Sequence, residues 1–217
     1  MELRDHLISI ATNLVHELEP VLAIKAVTDN PVLLGAYAEA CIRRLVQRVV
    51  TPMQVSTGAV LEYPAPDRLR QLDIIIWAPF PAPAAYTVAD FALVPKSSAF
   101  GVLEVKRSNY TGTDESLDAF LQDPGPVVTE LDASLGETRS AVMAVVPVLE
   151  RNPSPTLRRL LGNGSAVAIF GQEAERPRVR SKDVFALVNF LQYISWRYRF
   201  RAAQPWVPQV DFRSLDE

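Results

Sequence analysis

The stretch GVLEVKR, residues 101–107, decides how this chain is read. Successive side chains of a strand point to opposite faces. Glu104 and Lys106 therefore share a face with Val102, while Leu103 and Val105 take the other. A carboxylate and an ammonium in so apolar a strand cost several kcal/mol each unless they are paired or bind a metal. QLDIIIW, residues 71–77, repeats the pattern. Alternation sets Gln71, Asp73, Ile75 and Trp77 on one face and Leu72, Ile74 and Ile76 on the other. Two β-prone runs, each with a lone acid, predict two core strands that bring carboxylates into an apolar sheet.

The chain around them has 217 residues, 48% of them apolar, enough for one globular domain with a sizeable core. Apolar positions from Leu3 to Leu22 recur at helical spacing, with an end or a kink expected at Glu19-Pro20. A second helix is expected from Val32 to Val50, with Leu34, Ala38, Cys41, Leu45 and Val49 as its buried stripe and Glu39 off it. A strand follows over 54–62, then QLDIIIW, a loop through Pro79, Pro81 and Pro83, a strand over 87–94 and the strand holding Glu104. Helices are expected over 114–122, 127–135 and 154–161, strands over 140–149 and 166–170, and a long helix over 182–200 behind Ser181 as N-cap. Helix, several strands, helix, strand, helix is the order of an α/β domain with a central mixed sheet flanked by helices. The domain reading is an amphipathic helix over 1–30 appended to a core of 31–201, with a tail over 202–217.

Asp73 and Glu104 on neighbouring strands, with Lys106 two residues beyond the second acid, supply what metal-dependent phosphodiester hydrolysis needs. Carboxylate oxygens suit Mg²⁺, a hard cation that keeps waters of its own. The metal polarises a phosphate and acidifies a bound water, and a lysine can orient the nucleophile or offset developing charge. On these residues, together with Glu39 on the preceding helix, the chain resembles the PD-(D/E)XK nuclease superfamily, whose restriction-endonuclease-like core runs αβββαβ. The run from GAYAEACIRRLV through STGAVLE and QLDIIIW to FGVLEVKR is also similar to a bacterial domain of unassigned function. The likeness covers residues 35–108 well and the remainder by element order. It implies Asp73 and Glu104 as metal ligands, the Val105 carbonyl as a third, and Lys106 as the catalytic lysine. It further implies Glu39 as a helix acid reaching the metal directly or through water, Gln71 as a supporting residue, and Mg²⁺, with Mn²⁺ as substitute, as cofactor. The implied activity is a nuclease of bacterial defence or nucleic-acid processing, acting on DNA ahead of RNA. Leu72 stands where the superfamily motif often has proline, which lowers the motif's specificity.

Each residue also has a plainer reading. Glu104 and Lys106 could be a same-face pair on an edge strand, Asp73 a turn cap, and Glu39 the partner of Arg43 four residues on. Arg43, Arg44 and Arg107 are the candidate phosphate contacts, with Arg48 beside them, although a solvated helix face is the default. In WRYRFR, residues 196–201, arginines alternate with aromatics; inward-packed aromatics and cations at a helix C-terminus explain this better than a nucleic-acid track. The alternative to an enzyme is a non-catalytic nuclease-like binding or assembly module, docking a partner or a second copy through the first helix.

Composition closes other routes. Net charge is −3, so the whole molecule is no polycation. Charge is unevenly spread: residues 104–150 hold three Lys or Arg against nine Asp or Glu, and residues 151–201 hold ten against three. A single cysteine, Cys41, and two histidines, His6 and His16, make a thiolate cage, a histidine-rich zinc site or a nucleophile triad improbable. GNGS at 162–165 lacks a following Lys-Ser/Thr and reads as a turn. No run approaches the ~20 apolar residues of a membrane span, and the acidic N-terminus lacks a secretory plan, so the expected location is cytoplasmic.

Overall fold

The computed structural model describes residues 3–61, 69, 71–106, 142–147, 171–172, 178–179 and 181–203. The helices expected over 114–122, 127–135 and 154–161, the strand over 166–170 and the turn at 162–165 lie outside these residues, as do residues 204–217 of the expected tail.

Helix α1, Leu3–Ala23, runs through Pro20 and continues as a 3-10 turn, Ile24–Ala26. The expected end at Glu19-Pro20 gives way because Leu18 and Val21, on either side of the proline, are both fully buried. Tertiary packing outweighs the lost hydrogen bond. Helix α2, Pro31–Val49, starts where Asn30 accepts hydrogen bonds from the backbone N–H of Val32 (3.0 Å) and Leu33 (3.4 Å), with Pro31 opening the first turn. Its buried positions are Leu34, Ala38, Ile42, Leu45 and Val46, so the face is rotated from the expected stripe at Cys41 and Val49, which are half-buried.

Strand β1, Gln54–Leu61, pairs antiparallel with β2, Leu72–Trp77. Strand β2 pairs antiparallel with β5, Ala99–Lys106, and β5 lies parallel to β6, Val142–Pro147. The single strand expected over 87–94 is instead a hairpin of β3, Tyr86–Val88, and β4, Phe91–Pro95. Its two-residue turn places Ala89 at φ 49°, the left-handed conformation such turns need. Strand β4 then runs parallel to the free side of β1. The result is a six-stranded mixed sheet in the order β3-β4-β1-β2-β5-β6, beside a small ribbon of β7, Gly171–Gln172, and β8, Arg178–Val179. Helix α3, Ser181–Ala203, closes the described structure, with Ser181 as its first residue.

The larger core lies between the sheet and the helices. Ile74, Ile76, Phe100, Leu103 and Val105 meet Leu18 and Val21 of α1, the buried face of α2, and Val184, Leu187, Val188, Leu191 and Ile194 of α3. The apolar stripe of α1 is thus covered at Leu18 and Val21 from within the chain. A second cluster, with Val60, Ile75, Trp77, Val94 and Val102, forms elsewhere on the sheet.

The WRYRFR segment divides. Tyr198 packs edge-on against Phe100, with centroids 5.4 Å apart and planes at 82°, and Arg197 Nη1 donates to the Phe100 carbonyl at 3.4 Å. Burial lowers the pKa of that guanidinium. Trp196 does not turn inward: it stays 59% exposed and stacks on Tyr193.

Helix α3 approaches the sheet closely at Gly101, where an added Cβ would lie 2.4 Å from Ile194 Cδ1. Ile194 is fully buried and has little room to yield. Gly101→Ala is expected to lower stability by about 1–3 kcal/mol, the usual cost of overpacking, read as a lower urea midpoint with an unchanged slope.

Candidate active site

The β2–β5 ladder pairs Ile76 with Gly101, Ile75 with Val102 and Ile74 with Leu103. One step further in the same register sets Asp73 opposite Glu104. There Asp73 departs from the ordinary ladder role, and its Oδ2 accepts the Val105 N–H at 2.8 Å. The carboxylate from one strand thus holds the backbone between Glu104 and Lys106 of the next. Two residues along each strand, on the same face as the acids, fully buried Ile75 and Val102 pair across the ladder, which gives the site an apolar base.

Burial separates the two acids. Asp73 is half-buried. Glu104 is buried, with 6% of its surface exposed. Hiding a carboxylate to this degree is costly unless its charge is offset.

A bulge in β2 includes Asp73: between the pairs Ser56–Ile75 and Gly58–Leu72, Asp73 and Ile74 together oppose the single residue Thr57. The register with β2 shifts between Ser56 and Gly58, and Gly58 sits at φ 139°. Ser56, on one side of the shift, accepts a hydrogen bond from Trp77 Nε1 at 3.1 Å. Thr57, within it, donates through Oγ1 to the Leu72 carbonyl at 2.9 Å, and its N–H donates to the Asp90 carbonyl at 2.7 Å. Bulges recur beside active sites because they re-aim neighbouring side chains.

The other candidate residues are placed as follows. Lys106 is the last residue of β5, aligned with Pro147 of β6; its side chain and all of Arg107 lie outside the described residues. Gln71 is exposed immediately before β2, and Arg44 and Arg48 are exposed on α2. Arg43 is drawn into tertiary structure: Nη1 donates to the Asp90 carboxylate, its side chain is only 19% exposed, and its Nε is buried without a hydrogen-bond partner among the described residues. Arg43 thus forms an ion pair between α2 and the β3–β4 turn. Glu39, one turn earlier, is half-buried. Cys41 is half-buried, and burial pushes its thiol up, away from the thiolate a nucleophile needs.

Among the described residues no three His, Cys, Asp or Glu side chains form a group able to hold a metal. Two carboxylates and a backbone carbonyl nonetheless fit Mg²⁺, which takes one or two protein carboxylates and keeps its waters. They do not fit a structural zinc site, with its nitrogen and sulfur ligands. Thr57, Gly58 and Asp90 escaped the sequence reading. Gly58 inside a strand pattern was the one available signal of a bulge; nothing local linked Thr57 or Asp90 to Asp73.

No protein family matches the chain, and no curated protein matches its sequence. Solved structures do. The cAAA-bound form of NucC from E. coli MS115-1 superposes with a TM-score of 0.55 at 14% identity, covering 89% of this chain and 91% of that one. The cAAA-bound form from P. aeruginosa ATCC27853 gives 0.54 at 15%, covering 89% and 92%. The apo E. coli MS115-1 form gives 0.52 at 14%, covering 99% and 97%. Identities this low establish the architecture alone: the chain has the restriction-endonuclease-like α/β fold. No helix among the described residues is long and apolar enough to cross a membrane.

Proposed function

We propose that this protein is a metal-dependent nuclease that hydrolyses phosphodiester bonds, with DNA as the favoured substrate over RNA. The observation that carries the reading is the Asp73 carboxylate bonded to the Val105 N–H beside buried Glu104. Asp73, Glu104 and the Val105 carbonyl would hold Mg²⁺, with Mn²⁺ as its substitute. When bound, the ion supplies charge stabilisation at phosphate and a water acidic enough to attack at neutral pH.

The chain's own residues do the rest. Asp73 is fixed by its bond to β5, so its second oxygen is presented in a set direction. Glu104 brings negative charge to an apolar base, where a cation is held in a low dielectric and its field is little screened. Lys106 orients the attacking water or neutralises charge that accumulates on the phosphate oxygens. Arg44 and Arg107 are the phosphate contacts, and Gln71 borders the site. Glu39 is the helix acid that reaches the metal, directly or through water.

The test is cleavage of labelled single- and double-stranded DNA and RNA by the purified protein, with Mg²⁺, Mn²⁺ or chelator, each with and without cAAA, the ligand named in two of the similar structures. Cutting that requires the divalent ion is the expected result. No cutting on any substrate, together with no Mn²⁺ binding in a titration, would overturn the reading in favour of a non-catalytic binding or assembly module.

A further inference from the structure

We infer that Thr57 is a positioning residue for Asp73, and that the β3–β4 turn holds Thr57 to that task. For its catalytic consequence the inference rests on the nuclease reading; its structural content does not.

In a regular antiparallel pair, backbone N–H groups of β1 would serve the carbonyls of β2. The register shift between Ser56 and Gly58 interrupts this by setting Asp73 and Ile74 together opposite Thr57. Thr57 repairs the gap with its side chain: Oγ1 donates to the Leu72 carbonyl at 2.9 Å. That carbonyl belongs to the peptide group whose nitrogen is that of Asp73, so the bond fixes the plane from which the Asp73 side chain departs. The Thr57 N–H, turned away from β2, donates to the Asp90 carbonyl at 2.7 Å. Asp90 in turn is tied to α2 by Arg43.

A path of hydrogen bonds thus runs from α2 through the hairpin turn and Thr57 of β1 to the bulge in β2. It ends on β5, where Asp73 accepts the Val105 N–H at 2.8 Å. Asp73 is braced from both neighbouring strands, by its own carboxylate on one side and through Thr57 on the other. Partners that orient a ligating carboxylate typically carry 10–100-fold in metal affinity or activity.

The test compares Thr57→Val, which keeps the β-branched shape and loses the donor, with Thr57→Ser, which keeps the donor. Thr57→Ala serves if the valine variant does not fold. The first readout is amide hydrogen exchange at Val105, referred to the amides of Ile75 and Val102. The second is Mn²⁺ titration, and the third is cleavage resolved into kcat and KM.

Thr57→Val is expected to speed Val105 exchange about tenfold, weaken Mn²⁺ binding and lower kcat by about 10–100-fold, and leave KM for nucleic acid unchanged. Thr57→Ser is expected to follow the wild type in all three. Unchanged Val105 exchange in Thr57→Val, or equal losses in the valine and serine variants, would overturn the inference even if the wild type cuts. If the wild type neither cuts nor binds Mn²⁺ but Val105 exchange still answers to the hydroxyl, the brace stands and the nuclease reading falls.

Discussion

Glu104→Gln is expected to abolish cleavage, by about a thousandfold or more, while the protein melts at the same temperature or higher. The two halves of this result have one cause. A carboxylate that is 6% exposed is held against its preference for water. The amide has nearly the same shape and avoids the larger penalty of burying a charge, so a site maintained for function gains or keeps stability when it is neutralised. The metal would lose an anionic ligand at the same step. Forfeiting ~4 kcal/mol of transition-state stabilisation corresponds to about three decades in rate.

Asp73→Asn makes a useful companion, because an amide oxygen can still accept the Val105 N–H. The fold is expected to survive, with cleavage lost to a similar degree. Single-turnover cleavage and a thermal melt on each variant decide the matter. A melting temperature several degrees lower for Glu104→Gln, with cutting retained, would identify Glu104 as half of a structural ion pair instead.

The second large effect concerns stability. Gly58→Ala is expected to cost about 3 kcal/mol or more, enough to leave little folded protein in many domains of this size. An ideal Cβ at residue 58 would stand 1.9 Å from the Ala92 carbonyl oxygen, where real contacts essentially never fall below 3.0 Å. That oxygen belongs to a backbone held in the sheet, and φ 139° is itself a conformation that side chains with a Cβ rarely adopt. Neither strain can be relieved without moving β1 from β4. Gly35→Ala on α2 is the control: its Cβ would meet nothing within 4 Å, and a gain of roughly 0.5–1 kcal/mol is expected from helix propensity. Urea denaturation of the pair separates a special backbone position from a general intolerance of glycine replacement.

Much of the fold was legible because its central strands are chemically uniform. QLDIIIW and GVLEVKR leave little choice but strand, and their lone acids identify the face to inspect. The β3–β4 hairpin was not legible, because β-prone Thr87, Val88, Phe91 and Val94 flank the turn closely and the turn itself, Ala89-Asp90, contains no glycine. The buried face of α2 was misjudged by a small rotation, since Cys41 and Ile42 are both apolar and only packing against α1 and the sheet chooses between them. At the site, Asp73 and Glu104 could be named from alternation. Their relation through the Val105 N–H depends on strand register, which no local pattern encodes. Arg43 shows the same limit: the sequence offered Glu39 four residues away, and the fold supplied Asp90, forty-seven residues away.

The packing of α1 on α3 has a consequence in time. Helix α1 is made first, yet the side chains of α3 that help bury Leu18 and Val21 begin at Val184. At ~5–20 residues per second, the interval between Ala23 and Ser181, 158 residues by their numbers, takes roughly 8–30 s of synthesis. Throughout it, the apolar stripe of the first helix has to be shielded by a chaperone or by provisional contacts. Translation that stops before residue 181 leaves that stripe without the part of its native cover that α3 supplies, a state suited to degradation or aggregation rather than to partial activity.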